Sequence, residues 1–263
     1  MTGSSTNPLF CGIDIGSRTG KIVLIDNSGN LLYKNILSTI ASATKTYHSL
    51  LETTPPELKN SITATAVTGY GRESVAKEAS FSATEITCHF LGVSALHPEI
   101  RTIIDIGGQD SKVITISEEG RIKDFIMNDR CAAGTGRFIE VMAEKVGFSI
   151  EDFATVDVSD VEPVKINSTC TVFAESEVIS MVSRDTPAKV IISSIARMVA
   201  LNTISMAKKI HPQNPVFMSG GVSRLRPVRF HLSKLLALNI ESDINSQVMG
   251  ALGAAIFARK EAQ

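Results

Sequence analysis

The sequence lacks three features that would assign it to a particular class of protein. Its 26 basic residues nearly balance its 27 acidic residues, and a net charge of −1 offers no attraction for nucleic acid. No apolar run is expected to reach the roughly 20 residues that cross a membrane. The N-terminal MTGSSTNPLF lacks the basic and apolar regions of a secretory signal. We therefore expect a soluble, cytoplasmic protein that binds neither nucleic acid nor a membrane.

Cysteine is also scarce, with four residues among 263. In a cytoplasmic chain of this size, we expect reduced, metal-binding or buried cysteines rather than disulfides. Cys11 lies in an apolar strand-like run and Cys88 in a helix-like run, so both are predicted to be core residues. Cys131 and Cys170 stand apart, because each comes just before a predicted helix.

The strongest pattern is an internal repeat with an offset of 91 residues. It aligns residues 13–16 with 104–107, and Lys21 with Lys112. Each copy predicts an apolar strand that ends in Asp-x-Gly, a short polar turn and two further β-branched strands. The later strands cover residues 21–26 and 31–37 in the first copy and 112–117 and 121–127 in the second. The repeat therefore predicts a three-stranded antiparallel meander, made twice.

Helical periodicity follows both meanders. The predicted helices cover residues 43–51, 72–79, 136–146, 173–183, 187–210 and about 246–260. A strand over residues 216–219 precedes Gly220 and Gly221. We predict two α/β domains: a first one over residues 9–98, completed by the terminal helix 246–263, and a second one over residues 99–245 that carries Cys131 and Cys170.

This organisation resembles the actin-like superfamily of acetate kinases, sugar kinases, heat-shock ATPases and actin. The resemblance rests on three separated motifs, namely the Asp-x-Gly turns at Asp14 and Asp105 and the later Gly-Gly pair. It implies a duplicated two-domain α/β fold with ATP bound in a cleft between the domains. The two turns would be phosphate loops, and the Gly-Gly pair would hold adenosine.

The resemblance also indicates which residues contact ATP. Glycine lets backbone N–H groups approach a phosphate, and Ser, Thr and Lys side chains donate hydrogen bonds to it. The candidate contacts are Gly16, Ser17, Arg18, Thr19, Gly20 and Lys21 in the first loop, Gly107, Gly108 and Gln109 in the second, and Gly134, Thr135, Gly136, Gly220, Gly221 and Gln247 beyond them. Two hairpin turns with solvated polar residues are the alternative. Ser223 and Arg224 follow the Gly-Gly pair where relatives often have Asn, which leaves the adenosine contacts open.

Four polar side chains are the candidate catalytic groups. Asp14 and Asp105 end apolar strands, where an unpaired carboxylate is costly to bury. Two carboxylates suit a water-mediated Mg²⁺ site, because Mg²⁺ takes oxygen ligands and keeps several waters. Gln109 and Asp110 are both candidates to orient the attacking water. A turn-capping role is the alternative for each strand-end aspartate.

Cys131 and Cys170 are candidate metal ligands. The partial positive charge of a helix N-terminus stabilises a thiolate or an anionic cluster. Two thiolates are too few for a tetrahedral Zn²⁺ or an iron–sulfur cluster, but a two-fold axis doubles them to four. We therefore predict a homodimer that shares one [4Fe-4S] cluster. Two buried free cysteines, or a Zn²⁺ that bridges the dimer, are the alternatives.

Several segments resemble the activator ATPases of 2-hydroxyacyl-CoA dehydratases, which are relatives of benzoyl-CoA reductase subunits. They read FIMNDRCAAGTGRFIEVMA, STCTVFAESEVIS, TIIDIGGQDSKVI, EITCHFLG and GALGAA. The resemblance implies an oxygen-sensitive, homodimeric iron–sulfur ATPase of anaerobic metabolism. Such a protein couples ATP hydrolysis to one-electron transfer from ferredoxin or flavodoxin to a partner dehydratase.

Two other functions stay open at this point. One is the same ATPase with a different acceptor, such as a benzoyl-CoA reductase or a reductase with a double-cubane cluster. The other possibility is a small-molecule kinase, which shares the nucleotide site but has no use for paired thiols at a dimer axis. An actin-like filament or chaperone ATPase would need an extension for which 263 residues leave little room.

Overall fold

The computed structural model describes residues 7–40, 42–128, 134–167 and 171–263. The strands are β1 Leu9–Ile15, β2 Thr19–Ile25, β3 Leu31–Ser38, β4 Ile62–Thr68, β5 Phe81–Ser82, β6 Thr102–Ile106, β7 Ser111–Ile116, β8 Ile122–Asn128, β9 Val216–Ser219 and β10 Ile240–Glu241. The helices are α1 Ala43–Glu52, α2 Pro56–Lys59, α3 Arg72–Val75, α4 Glu85–Leu96, α5 Gly136–Lys145, α6 Ile150–Thr155, α7 Thr171–Ser183, α8 Ala188–Ala207, α9 Arg226–Leu236 and α10 Met249–Glu261.

The chain divides into two compact units. The first unit runs to Pro98 and includes Val248–Gln263, and the second unit is Glu99–Gln247. Each unit is built on a five-stranded sheet, with strand orders β3-β2-β1-β4-β5 and β8-β7-β6-β9-β10. The two orders correspond strand for strand, so the repeat in the sequence is a repeat of the fold.

Both predicted meanders are present. β1, β2 and β3 pair antiparallel in sequence order, and so do β6, β7 and β8. β4 and β9 then add in parallel beside β1 and β6. Since parallel neighbours end at the same edge of a sheet, the turn after the first strand of each unit lies beside the turn after its fourth strand. This edge positions the candidate site.

The predicted helix over residues 72–79 is too long, because only Arg72–Val75 is helical. The hydroxyl of Tyr47 donates a 3.1 Å hydrogen bond to the carbonyl oxygen of Glu78, in the turn that leads into β5. The chain must be extended again at Phe81 to join the sheet, which leaves no room for a second helical turn. The terminal helix also differs slightly, since a 3₁₀ turn at Ser246–Val248 precedes α10.

One helix contradicts the expectation that no apolar segment is long enough to cross a membrane. By length and composition, the helix Ala188–Ile210 could cross a membrane, but 72% of its most apolar 18-residue stretch is buried within the structure. Ile191, Ile195 and Val199 on this helix belong to one apolar cluster with Ile104 of β6. The helix therefore has the burial of a core helix in a soluble protein.

Close backbone packing shapes the first unit, where α10 returns to cover β1 and α4. A Cβ atom on Gly12 would overlap the carbonyl oxygen of Ala251, and one on Gly253 would overlap that of Cys88. On Gly92 of α4, a Cβ atom would overlap the carbonyl oxygen of Met249. These glycines allow β1, α4 and α10 to approach closer than any side chain permits, so packing accounts for Gly253.

We expect Gly253→Ala to lower the free energy of unfolding by about 3 kcal/mol or more, because an overpacked core must shift its backbone. Gly120→Ala is the control, since Gly120 has φ of +69° but open space around it. Its backbone strain alone should cost about 1–2 kcal/mol. Urea unfolding of both variants measures the difference, and equal losses would contradict the packing explanation.

Candidate functional site

A buried aspartate–lysine pair lies at the same register position in both units. Asp14 is opposite Lys21 on β1 and β2, and Asp105 is opposite Lys112 on β6 and β7. Lys21 Nζ lies 3.1 Å from Asp14 Oδ2, and Lys112 Nζ lies 3.4 Å from Asp105 Oδ2. Asp14 is 7% exposed and Asp105 2%. Each strand-end carboxylate therefore has the partner that its burial requires.

The pair in the second unit has two further polar partners. Lys112 also donates to the carboxylate of Asp110, and its side chain is 1% exposed. Ser219 Oγ donates a 2.8 Å hydrogen bond to Asp105 Oδ1. The ammonium group of Lys112 thus pairs with two carboxylates, and the hydroxyl of Ser219 on β9 bonds to the other oxygen of Asp105.

Thr68 is the equivalent of Ser219 in the first unit. It is in register with Asp14 on β4, as Ser219 is with Asp105 on β9. Its buried hydroxyl lies next to the Cys88 thiol but makes no hydrogen bond of normal geometry among the described residues. Among the described residues, the first unit therefore lacks the hydroxyl-to-carboxylate hydrogen bond that Ser219 makes in the second unit.

The two polar turns share one backbone geometry. The Gly16 N–H donates to the carbonyl oxygen of Thr19 at 3.1 Å, and the Gly107 N–H donates to that of Asp110 at 2.9 Å. The repeat aligns Arg18 with Gln109, and both are exposed at the tips of their loops, between partly exposed neighbours. Backbone N–H groups in such a turn, with a lysine beneath, suit an anion such as a phosphate.

The predicted residues of the first loop do not all have the same environment. Ser17, Arg18 and Thr19 are partly or fully exposed. Gly20 is buried instead, since a Cβ atom there would lie 2.6 Å from the Thr46 side chain of α1. Lys21 extends to the loop, because its Nζ lies 3.1 Å from where a Gly16 Cβ would be. Packing against α1 is thus a sufficient reason for glycine at position 20.

A second glycine turn in the first unit escaped the sequence analysis. Gly69 follows β4 with φ of +91°, and a Cβ atom there would lie 2.5 Å from Asp14 Oδ1. Gly220 follows β9 with φ of +84°, and its Cβ would lie 2.8 Å from Asp105 Oδ1. Only glycine fits this approach to the aspartate. The signal was a small hydroxyl residue followed by glycine after the fourth strand of each unit.

The structure places the Gly-Gly pair beside Gln247. Gln247 Nε2 lies 3.8 Å from where a Cβ on Gly221 would be, and the Gly220 N–H donates to the carbonyl oxygen of Ser246 at 3.0 Å. Arg224 is exposed at the end of the following 3₁₀ turn. Gly220, Gly221 and Gln247 therefore lie together in the second unit, where Gly220 is buried and Gly221 and Gln247 reach the surface.

Residues 134–136 lie directly against the second loop. The Gly136 N–H donates to the carbonyl oxygen of Gly107 at 2.9 Å, and the Arg137 N–H to that of Gly108 at 2.8 Å. Thr135 is fully buried. The amides of Gly136 and Arg137 are bonded to the loop, so the first turn of α5 supports the loop.

The cysteines fall into two groups. Cys11 and Cys88 are buried free thiols, which confirms them as core residues, and burial raises the pKa of each to about 12. Cys131 and Cys170 lie outside the described residues, although α7 begins directly after Cys170. Over the described ranges, no group of three or more His, Cys, Asp or Glu side chains could hold a metal ion.

The sheets of the two units have the same strand order, and in each unit a turn suited to a phosphate follows the first strand. This combination is typical of an ATPase with the actin-like fold. The sequence pattern of the BadF/BadG/BcrA/BcrD ATPase family matches residues 11–258, and the chain belongs to this family. It is 39% identical over 254 residues to the (R)-2-hydroxyglutaryl-CoA dehydratase activating ATPase of Acidaminococcus fermentans, covering 95% of this chain and 97% of that one.

Solved structures agree with this assignment. The activator of the 2-hydroxyisocaproyl-CoA dehydratase from Clostridium difficile with bound ADPNP superimposes with a TM-score of 0.91 at 38% identity, covering 97% of this chain and 95% of that chain. A ROK family glucokinase from Streptomyces griseus shares the fold alone, with a TM-score of 0.58 at 13% identity, over 96% and 99% of the two chains. The predicted duplicated actin-like fold and the ATPase assignment are thereby confirmed.

The ion pairs that Lys112 makes with Asp105 and with Asp110 give a stability prediction. Lys112→Met would leave two carboxylates without their cation, which we expect to cost about 3–5 kcal/mol of unfolding free energy. Lys145→Met is the control, because the pair between Lys145 and Glu175 at 3.1 Å is far more exposed and should contribute only about 0–1 kcal/mol. Urea unfolding without nucleotide tests this, and similar losses in both variants would contradict it.

Proposed function

We propose that this protein is an ATP-dependent activator of a 2-hydroxyacyl-CoA dehydratase. One electron leaves reduced ferredoxin or flavodoxin and arrives on the dehydratase, while ATP is hydrolysed to ADP and phosphate. The protein would be a homodimer whose two subunits hold one shared [4Fe-4S] cluster. The observation that carries the proposal is the duplicated loop with its buried Asp–Lys pair, in a chain 39% identical to a dehydratase activating ATPase.

In this proposal the two units are the two ATPase domains. The loop at residues 16–21 and the loop at residues 107–109 each bind part of the triphosphate. Gly220, Gly221 and Gln247 are assigned to adenosine, since these residues lie together in the second unit. Gly134, Thr135 and Gly136 act on ATP through the second loop, because the Gly136 amide at the end of this segment bonds to that loop.

The carboxylates near the loops fit a Mg²⁺ ion that is reached through water. Asp14 and Asp105 offer the oxygen ligands that Mg²⁺ prefers, but one oxygen of each is already bonded to a lysine. When bound, Mg²⁺ neutralises charge that develops on the phosphates.

The environments of Gln109 and Asp110 separate their roles. Asp110 bonds to Lys112, and its backbone carbonyl accepts the hydrogen bond that closes the loop. It therefore holds the loop in shape. Gln109 is exposed at the loop tip, so we assign to Gln109 the orientation of the attacking water.

Cys131 and Cys170 would hold the cluster, two thiolates from each subunit. The other two cysteines do not suit this role, because they are fully buried and their raised pKa keeps them as neutral thiols. When bound, the cluster supplies a one-electron carrier whose potential depends on its hydrogen bonds and exposure. Driving one electron about 300 mV uphill requires about 7 kcal/mol, which ATP hydrolysis in each subunit supplies.

A different low-potential acceptor, such as a benzoyl-CoA reductase or double-cubane reductase, is the alternative within the same chemistry. A small-molecule kinase is the alternative from another class. The glucokinase likeness at 13% identity supports the fold only. Reconstitution with each class of acceptor, with ATP and reduced ferredoxin or flavodoxin, distinguishes these functions.

Removing the strand-end carboxylates should affect hydrolysis but not the cluster. We expect Asp14→Asn and Asp105→Asn each to lower ATP turnover about 100-fold or more, because each removes charge that organises Mg²⁺ and phosphate. The iron content and visible spectrum should not change. Asp26→Asn is the control, since Asp26 bonds Asn30 in an exposed turn of the first unit. Normal turnover in both site variants would overturn the assignment of the loops.

Iron analysis tests the shared cluster. Anaerobically purified protein should contain about four irons per dimer, because one [4Fe-4S] cluster needs four thiolates. Cys131→Ala and Cys170→Ala should each lose the brown chromophore, whereas Cys11→Ala and Cys88→Ala should keep it. Full iron retention in Cys131→Ala would contradict the shared cluster, whatever the ATPase activity.

A further inference from the structure

The second phosphate-type loop is bonded to the segment that leads into α5. Beyond the two backbone hydrogen bonds from Gly136 and Arg137, the Ser111 hydroxyl donates to the carbonyl oxygen of Gly134 at 2.9 Å. Ser111 is buried and is the first residue of β7, directly after the loop. The loop and the start of α5 are thus joined at three points.

The first loop has a different support. The carbonyl oxygen of Gly16 accepts a 2.7 Å hydrogen bond from the Thr39 hydroxyl, and that of Arg18 accepts a 2.9 Å bond from the Thr39 N–H. Thr39 belongs to a short connection after β3, not to a helix. Gly20 occupies the position that corresponds to Ser111, so the first unit has no equivalent hydroxyl. The duplication has therefore diverged where the second loop meets α5.

We propose that Ser111 is a positioning residue that couples the nucleotide at the second loop to the segment bearing Cys131. This inference rests on the proposed function. A phosphate bound to the loop would pull on the peptides that follow Gly107 and Gly108. The carbonyl oxygens of these peptides accept the hydrogen bonds from Gly136 and Arg137, so the first turn of α5 would move with them. The Ser111 bond to Gly134 extends the same connection toward Cys131.

The bond geometry explains why one side chain can matter here. The backbone bonds hold α5 from Gly136 onward, whereas the Ser111 hydroxyl reaches Gly134, on the side of α5 that leads back to Cys131. Without the hydroxyl, the loop can still change shape and move α5, but residue 134 is no longer fixed to β7. Nucleotide binding should then still move α5 but should no longer affect the segment that bears Cys131.

The test compares holoprotein variants by anaerobic iron chelation with bathophenanthroline, with and without the imido analogue of ATP. In the wild-type protein, we expect the analogue to change the chelation rate about fivefold or more, the lower end of ordinary coupling between sites. Ser111→Ala should reduce this ratio to near one while nucleotide still binds. Ser111→Thr, which keeps a hydroxyl, should restore it.

Thr115→Val is the matched control. Thr115 also lies on β7, and its hydroxyl donates to the carbonyl oxygen of Asp124 at 3.3 Å, away from α5. It should keep the wild-type ratio. A wild-type ratio in Ser111→Ala, or an equal loss in Thr115→Val, would overturn the coupling role. A wild-type protein without any response would contradict the proposed function, and the coupling role with it.

A second measurement does not depend on the cluster. Hydrogen–deuterium exchange can be followed in iron-free protein, with and without the analogue, in a peptide that ends at Thr135 and in a second peptide that lies within α5. We expect nucleotide to change protection of the peptide that ends at Thr135 in the wild-type protein and in Thr115→Val, but not in Ser111→Ala, in which the α5 peptide should still respond. The same nucleotide response in Ser111→Ala would refute the link even if that variant loses its iron.

Discussion

A carboxylate buried opposite a lysine, at the end of a central strand, is the constraint on which the site depends. Asp14 and Asp105 are almost inaccessible to water, and burying a carboxylate there would be costly without the ammonium that the lysine on the antiparallel neighbour supplies. Because the two residues of each pair share one register position, a shift of the strands by one residue would break the pair. The meander, its tight turn and the glycine after the neighbouring parallel strand are all arranged around this contact.

The two copies of the arrangement have become different in ways that suit different tasks. In the second unit, Asp105 bonds to Lys112 and Ser219, which makes a rigid, fully bonded base for the loop. In the first unit, the corresponding Thr68 hydroxyl makes no hydrogen bond of normal geometry to any residue that the structure describes. The second loop is also the one bonded to α5. We infer that the second unit transmits the state of the nucleotide, while the first unit mainly holds it.

Much of this organisation was predictable from the sequence. The repeat gave both meanders and the strand-end aspartates, because a turn that needs Asp and Gly is conspicuous in a chain with alternating strands. It did not reveal that Lys21 and Lys112 neutralise those aspartates, since antiparallel register depends on turn geometry that the spacing alone leaves open. The Gly69 turn was missed because β4 is rich in Ala and Thr, and its role depends on a neighbour far away in the sequence. The helix over residues 72–79 was predicted too long, because local periodicity carries no information on the strand pairing that ends it.

The proposed function requires that ATP bound at the two loops changes the reduction potential of the cluster. An anaerobic redox titration followed by electron paramagnetic resonance, with and without the imido analogue of ATP, tests it most directly. We expect a cluster signal whose midpoint potential differs between the nucleotide-free and the nucleotide-bound protein. A nucleotide that prefers one conformation must shift the equilibrium of any site that is coupled to it. Identical midpoint potentials in the two states would contradict the account and favour a kinase that holds a structural metal.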